Sequence, residues 1–294
     1  MSRTSSTVVG VRVVALLAGA TLTVTGGCAP PGEAGGDSAA RVWPGMMPET
    51  APSPRTVVRD DLEKVFEEAD TDGAFVLYDV ERNLTTVVGR ERAAHRHPPA
   101  ETFEIAATLI ALETDTVPSV DETVRHDGNA DWERDASLRE AVVSSDAGVH
   151  REVARRVGPD RMRTWVDRLG YGNRETGESG RPFWLDGTLE ISPREQADFL
   201  ADLARGRLPT SEAHQRDVRE LLFLEHGPGY VLYGKSGLAG RFNPGAGWWV
   251  GWVRREDGVF SFALAMDVVT DKHVEQRVPL GREFLERLNV VPVP

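Results

Sequence analysis

Pro99-Ala100-Glu101-Thr102-Phe103-Glu104, continued by Ile105-Ala106-Ala107-Thr108-Leu109-Ile110-Ala111-Leu112, sets two acidic residues at the head of an apolar run. The apolar positions recur at helical spacing with few polar gaps. This predicts a helix that starts near Glu101 and is buried on most sides. Upstream, Asp72-Gly73 is a turn signal, Ala74 to Asp79 reads as a strand, Glu81-Arg82-Asn83 as a turn and Thr85 to Val88 as the hairpin partner. Downstream, Ser137 to Val157 carries apolar residues at three- and four-residue steps and reads as one helix stopped by Gly158. Pro159 opens the next helix, Gly170 closes it, and Ser192-Pro193 opens another with Phe199, Leu200 and Leu203. The last third is strand-rich. Tyr230 to Tyr233 precedes Lys235, and Trp248 to Val253 with Val259 to Met266 forms a hairpin around Glu256-Asp257-Gly258. A final helix runs from about His273 to Leu288. Strands at both ends with helices between predict an α+β fold: an antiparallel sheet built from both termini, flanked by helices around a helical middle. Termini that pair across the chain make one folding unit.

The chain has 294 residues, 40% apolar and 27% charged, ordinary for a globular protein with a sizeable core. A formal net charge of -12 disfavours nucleic acid and anionic lipid surfaces as partners. Arg3 and Arg12 precede a mostly apolar stretch, Val13 to Val24, too short to span a bilayer comfortably. Thr25-Gly26-Gly27-Cys28 follows, so residues 1–27 read as a secretory signal ending in small residues. The segment resembles a bacterial lipoprotein signal. That resemblance implies lipidation at Cys28 and anchoring to the outer face of the cell membrane; a plain signal peptide is the alternative. Cys28 is the only cysteine, so no thiol remains for a disulfide or thiolate site. Residues 28–56, rich in Pro, Gly and Ala, read as a flexible tether, and residues 57–294 as the folded domain. Histidines 95, 97, 126, 150, 214, 226 and 273 show no metal-ligand spacing and read as surface residues, so no metal or cofactor is expected. Trp248, Trp249 and Trp252, on one strand, read as packing on both faces of the sheet rather than as a sugar platform.

The Pro99–Glu104 stretch with Leu109-Ile110-Ala111-Leu112-Glu113-Thr114 resembles the active-site helix of class D serine β-lactamases and the related penicillin-sensing domains. The resemblance continues at Trp132-Glu133-Arg134-Asp135, Ser137-Leu138-Arg139, Tyr171-Gly172-Asn173, Phe183-Trp184-Leu185 and Ile191-Ser192-Pro193. Lys235-Ser236-Gly237, Trp248 to Trp252 and Met266-Asp267 complete it, so it covers about residue 58 to the C-terminus. It implies a serine nucleophile at position 101 and, at position 104, a lysine that is carboxylated and acts as general base. It implies a proton-relaying serine at Ser145 and a tryptophan, Trp184, hydrogen-bonded to residue 104. Lys235, Ser236 and Gly237 would line the site, and Arg277 would help hold a substrate carboxylate.

Here the chain departs. Position 101 is Glu, with no hydroxyl to acylate, and position 104 is Glu, with no amine to carboxylate; Ala147 replaces a larger apolar residue two after Ser145. Covalent acyl transfer needs a nucleophile and a base within hydrogen-bond reach. Lys64, Lys235 and Lys272 are the only lysines, so Lys235 is kept where the other is gone. Residues i and i+3 share a helix face, so Glu101 and Glu104 are expected to approach each other near Lys235. They would sit at a helix start that favours carboxylates, with coupled titration. One reading is a decayed site with a charged helix start. Another is a pseudoenzyme that binds or senses a β-lactam or a D-Ala-D-Ala-type peptide without covalent chemistry. A third uses Glu101 and Glu104 as an acid/base pair. Residual β-lactam hydrolysis would need another nucleophile, such as Ser145 beside Lys235. Binding is placed first; the sequence names no protein partner and leaves that open.

Overall fold

Trp248, Val250 and Trp252 face one side of a sheet while Trp249 and Val253 face the other, the two-residue alternation expected of a strand buried on both faces. The structure, a computed structural model, describes residues 53–125, 135–177, 182–240 and 244–293. Residues 1–52, which include Cys28, and His126 with Trp132-Glu133-Arg134 lie outside the described residues.

In chain order the elements begin with β1 (Arg55–Val58), α1 (Lys64–Glu68), β2 (Gly73–Asp79) and β3 (Leu84–Val88). The helical middle holds α2 (Glu104–Glu113), β4 (Thr123–Val124), β5 (Ala136–Ser137), α3 (Leu138–Ser144), α4 (Ala147–Val157), α5 (Pro159–Arg168), α6 (Pro193–Ala204) and α7 (Glu212–Leu221). The chain closes with β6 (Phe223–Gly227), β7 (Tyr230–Ala239), β8 (Gly245–Arg255), β9 (Gly258–Val268) and α8 (Asp271–Arg287). Seven strands make one sheet in the order β1-β3-β2-β9-β8-β7-β6. The two ends of the chain meet where β2 pairs with β9, Gly73 opposite Met266 through Asp79 opposite Phe260.

The sheet divides two cores. On one face Trp248, Val250 and Trp252 pack with α2 and α6 through Leu109, Ile110, Phe199 and Leu200. On the other, Trp249, Phe75 and Phe262 pack against Phe66 of α1 and Phe284 of α8, with Phe75 and Phe284 rings stacked at 4.8 Å. Every residue of α2 from Glu104 to Leu112 is buried. A helix that is apolar on all sides has no solvent face to offer, which is why it sits inside the helical layer. Its one buried ionisable group, Glu104, therefore requires a partner or a shift toward its neutral form.

Four details differ from the sequence expectation. The sheet is mixed rather than antiparallel, because β1 pairs parallel to β3. The chain reverses once through α1 and again between β2 and β3, which leaves β1 and β3 running the same way. The first strand begins at Arg55, inside the span read as tether. The helix expected over 137–157 is two helices, broken at Ser145 in the left-handed region (φ 54°), with Asp146 Oδ1 accepting from the Gly148 and Val149 N–H groups at 3.0 and 3.2 Å. A short polar residue at a helix N-cap wins there over continuous apolar periodicity. Finally, α7 and β6 fill a stretch that carried no expectation.

Candidate functional site

The turn that delivers Glu101 is pinned from both sides. His97 exchanges backbone hydrogen bonds with Ile191, and the Trp248 indole N–H donates to the Pro98 carbonyl at 2.8 Å. Ala100 stands in the left-handed region (φ 52°), an unfavourable backbone for a residue with a Cβ, and its N–H donates to the Trp184 carbonyl at 2.9 Å. Thr102 Oγ1 donates to the Pro99 carbonyl at 2.6 Å and accepts from Gln196 Nε2 at 2.7 Å. Ala100–Phe103 is one 3₁₀ turn that feeds directly into α2, so Glu101 lies on the turn and Glu104 begins the α-helix.

Strand β7 runs past this turn at close range. A Cβ on Gly237 would stand 3.2 Å from both Glu101 N and Thr102 N, so only glycine allows the approach without a shift. Gly237→Ala is expected to lower stability by about 1–3 kcal/mol as the strand retreats from the turn. Urea denaturation checks it; unchanged stability would show that the contact yields freely.

The two carboxylates part company. Glu104 Oε2 lies 3.1 Å from Lys235 Nζ, both side chains being almost fully buried. The two groups touch without a well-directed hydrogen bond, since Oε2 has no partner of hydrogen-bond geometry. Lys235 Nζ instead donates to Ser145 Oγ at 2.5 Å. With the ammonium donating to it, that hydroxyl is held as an acceptor rather than relieved of its proton. Glu101 turns away: its Oε2 accepts from the Leu238 N–H at 2.7 Å. The sequence expectation of two carboxylates gathered at Lys235 is thus met by Glu104 alone.

Burial pushes the Glu104 carboxyl up to about 8 from 4.5, Lys235 pulling it down and the Glu101 charge adding to the rise. His150, from α4, brings Nε2 to 3.4 Å from Glu104 Oε2. Burial, reinforced by the Lys235 charge, drops the His150 imidazole to about 3 from 6.5, so it is neutral. Neither of its ring nitrogens has a hydrogen-bond partner. Reading all histidines as surface residues was wrong for His150, 2% exposed, and for His273, 3% exposed. The signal existed for His150: it lies three and seven residues before Val153 and Val157, on the apolar stripe of α4.

Arg277, on α8, donates to the Gly237 carbonyl, and its Nε donates to the Val274 carbonyl at 2.9 Å. Gly247 makes the room, because a Cβ there would stand 2.9 Å from Arg277 Cδ. Burial lowers the Arg277 guanidinium from its usual value, and the Glu101 charge opposes the drop. Ser236 is half-buried beside Lys235, and its carbonyl lies 3.5 Å from Nζ. Trp184 is buried with its ring against Phe103 at 5.7 Å and Phe183 at 5.0 Å. Among the described residues its indole makes no hydrogen bond to Glu104. Glu101, Glu104, Ser145, Lys235, Gly237 and Arg277 are therefore brought together around the start of α2 and the end of β7. His150 and the Leu238 N–H join them, and neither was expected from the sequence.

A family model, the penicillin binding protein transpeptidase domain, matches residues 73–286. β-Lactamase OXA-5 of Pseudomonas aeruginosa is 33% identical over 235 residues, 78% of this chain and 88% of that protein. The probable β-lactamase YbxI of Bacillus subtilis (strain 168) is 36% identical over 202 residues, 67% of this chain and 75% of that protein. Among solved structures, the class D β-lactamase FUS-1 (OXA-85) of Fusobacterium nucleatum subsp. polymorphum superposes with a TM-score of 0.74 at 33% identity, covering 80% of this chain and all of that one (100%). The fold, the order of the motifs and these relatives agree, and the chain belongs to the penicillin-binding transpeptidase family in its class D β-lactamase-like branch.

Proposed function

We propose that this chain is a non-acylating receptor of the cell envelope, which binds a β-lactam or a peptidoglycan peptide ending in D-Ala-D-Ala in the cleft between α2 and β7. The observation that carries the proposal is the Glu104–Lys235–Ser145 contact chain. The site's one buried lysine faces a carboxyl group and donates to the hydroxyl, and neither a serine nor a free amine stands at positions 101 and 104. A cleft lined by Lys235, Arg277 and backbone N–H groups still suits an anionic ligand. The relatives' names speak of β-lactamases, which supports a β-lactam-shaped cleft in this chain. The signal-like segment ending at Cys28 supports a lipid anchor on the outer face of the membrane.

The purified domain, residues 53–294, is expected to gain thermal stability with benzylpenicillin or an N-acylated D-Ala-D-Ala peptide, by mass action on the folded state. Its intact mass is expected to stay unchanged. A covalent penicillin adduct on the wild-type chain would overturn the proposal, as would the absence of any thermal shift with either ligand at millimolar concentration.

One observation favours a second reading. A carboxyl group raised to about 8 and desolvated, as Glu104 is, has the character of a general acid. Glu101 is bonded to the Leu238 N–H, so in this reading Glu104 would act as general acid without Glu101 as its partner. Turnover of an envelope substrate abolished by Glu104→Gln would establish it.

A further inference from the structure

Among the described residues, no strand pairs with β7 on its β6 side beyond Tyr233. Its partner β6 pairs with it only as far as Phe223 opposite Tyr233. Beyond that point the backbone groups of alternate residues face the vacated edge. The Gly234 N–H finds the Leu222 carbonyl at 2.8 Å, and two alternations further on the Leu238 N–H finds the Glu101 carboxylate at 2.7 Å. That donor belongs to a strand, yet it is satisfied by a side chain from a different layer. The same carboxylate acts on Arg277, whose guanidinium holds the Gly237 carbonyl one residue before Leu238. The Lys235 Nζ therefore has the Glu104 carboxyl group 3.1 Å away, and Arg277 feels the Glu101 charge from across the cleft.

We infer that Glu101 is a built-in competitor for ligand, a tethered carboxylate that occupies the Leu238 N–H beside Arg277 and must be displaced by an incoming carboxylate-bearing amide. This rests on the receptor reading of the cleft. The physical reason is concentration and charge. A carboxylate on a short tether meets its donor at an effective concentration that a free ligand does not reach. A charge-assisted hydrogen bond is also among the stronger contacts that a ligand would have to replace. Removing the carboxylate leaves an unpaired edge donor and an uncompensated guanidinium, both of which recruit an anion. Glu101 thereby sets which ligands enter: those able to offer a carboxylate and an amide carbonyl together gain most when it leaves.

The test compares wild type, Glu101→Ala and Glu101→Gln by calorimetric titration with benzylpenicillin, an N-acylated D-Ala-D-Ala peptide, and the same peptide as its C-terminal amide. Hydrogen exchange of the Leu238 amide is followed in parallel. Glu101→Ala is expected to bind the two carboxylates about tenfold or more tightly than wild type. Glu101→Gln, which keeps an acceptor oxygen without the charge, is expected to fall between. The peptide amide should gain least, and the Leu238 amide should lose protection in Glu101→Ala. An unchanged affinity for a ligand that wild type does bind overturns the competitor role and leaves the receptor standing. Unchanged Leu238 protection overturns the competitor role by itself. No binding by any of the three proteins overturns competitor and receptor together.

Discussion

The double substitution Glu101→Ser with Glu104→Lys is expected to form a covalent adduct with benzylpenicillin, one per chain, while wild type and both single variants form none. The introduced lysine would stand where Glu104 now lies 3.1 Å from Lys235 Nζ. Two ammonium groups at that distance in a buried site do not both stay charged, so one amine is neutral near pH 7 and can take a proton. The introduced serine would sit on the turn held by Ala100 and Thr102, packed against β7 at Gly237. Its hydroxyl adds to the lactam carbonyl, the lactam C–N bond opens, and the proton passes through the amine to the departing nitrogen. Glu101→Ser alone lacks the base, because a carboxyl group raised to about 8 is mostly protonated at neutral pH. Intact-mass measurement reads the adduct, and circular dichroism confirms that the variant folds. A folded double variant without adduct would show that the cleft itself has changed shape, and would remove the support for ligand binding by the wild type.

Stability is expected to peak between about pH 4.5 and 6.5 as far as two buried groups control it, these being the unfolded values of Glu104 and His150. Glu104 is raised from 4.5 to about 8, so its contribution is fully present below its unfolded value and is lost as pH rises through about 8. His150 is lowered from 6.5 to about 3, so its contribution is present above its unfolded value and is lost as pH falls through about 3. The two limbs are separable. Glu104→Gln is expected to flatten the alkaline limb, and His150→Phe, which keeps an aromatic ring on the apolar stripe of α4, the acid limb. Each difference profile amounts to a few kcal/mol across its window, because a tenfold change in proton affinity between the folded and unfolded chain is worth about 1.4 kcal/mol. Urea unfolding followed by fluorescence of the buried Trp248, Trp249 and Trp252 measures it. A wild-type alkaline limb that survives Glu104→Gln would mean that another group carries the proton.

Several elements were legible in the chain because their signals are local. The apolar run of α2 announces burial on every side, since no polar stripe is left to face water. Trp248 to Val253 announces a two-faced strand by alternation, and the structure splits those residues between two cores. Ser192-Pro193 announces the start of α6, and the structure adds a reciprocal capping box between Ser192 and Glu195. The break at Ser145 was hidden because its flanks share one apolar rhythm, and rhythm does not register a left-handed residue. The parallel pairing of β1 with β3 was hidden because strand direction depends on how often the chain turns back.

By itself the sequence determined that this is a transpeptidase-type α+β fold, and that carboxylates occupy positions 101 and 104. Tertiary structure decided what those carboxylates do. Spacing along a helix says that two side chains are neighbours; it does not say which layer each one meets. Here the sheet edge takes Glu101 through Leu238, and the buried interior takes Glu104 through Lys235 with His150 beside it. Dielectric surroundings and donor directions are properties of packed elements brought from distant parts of the chain, so only the folded molecule assigns them.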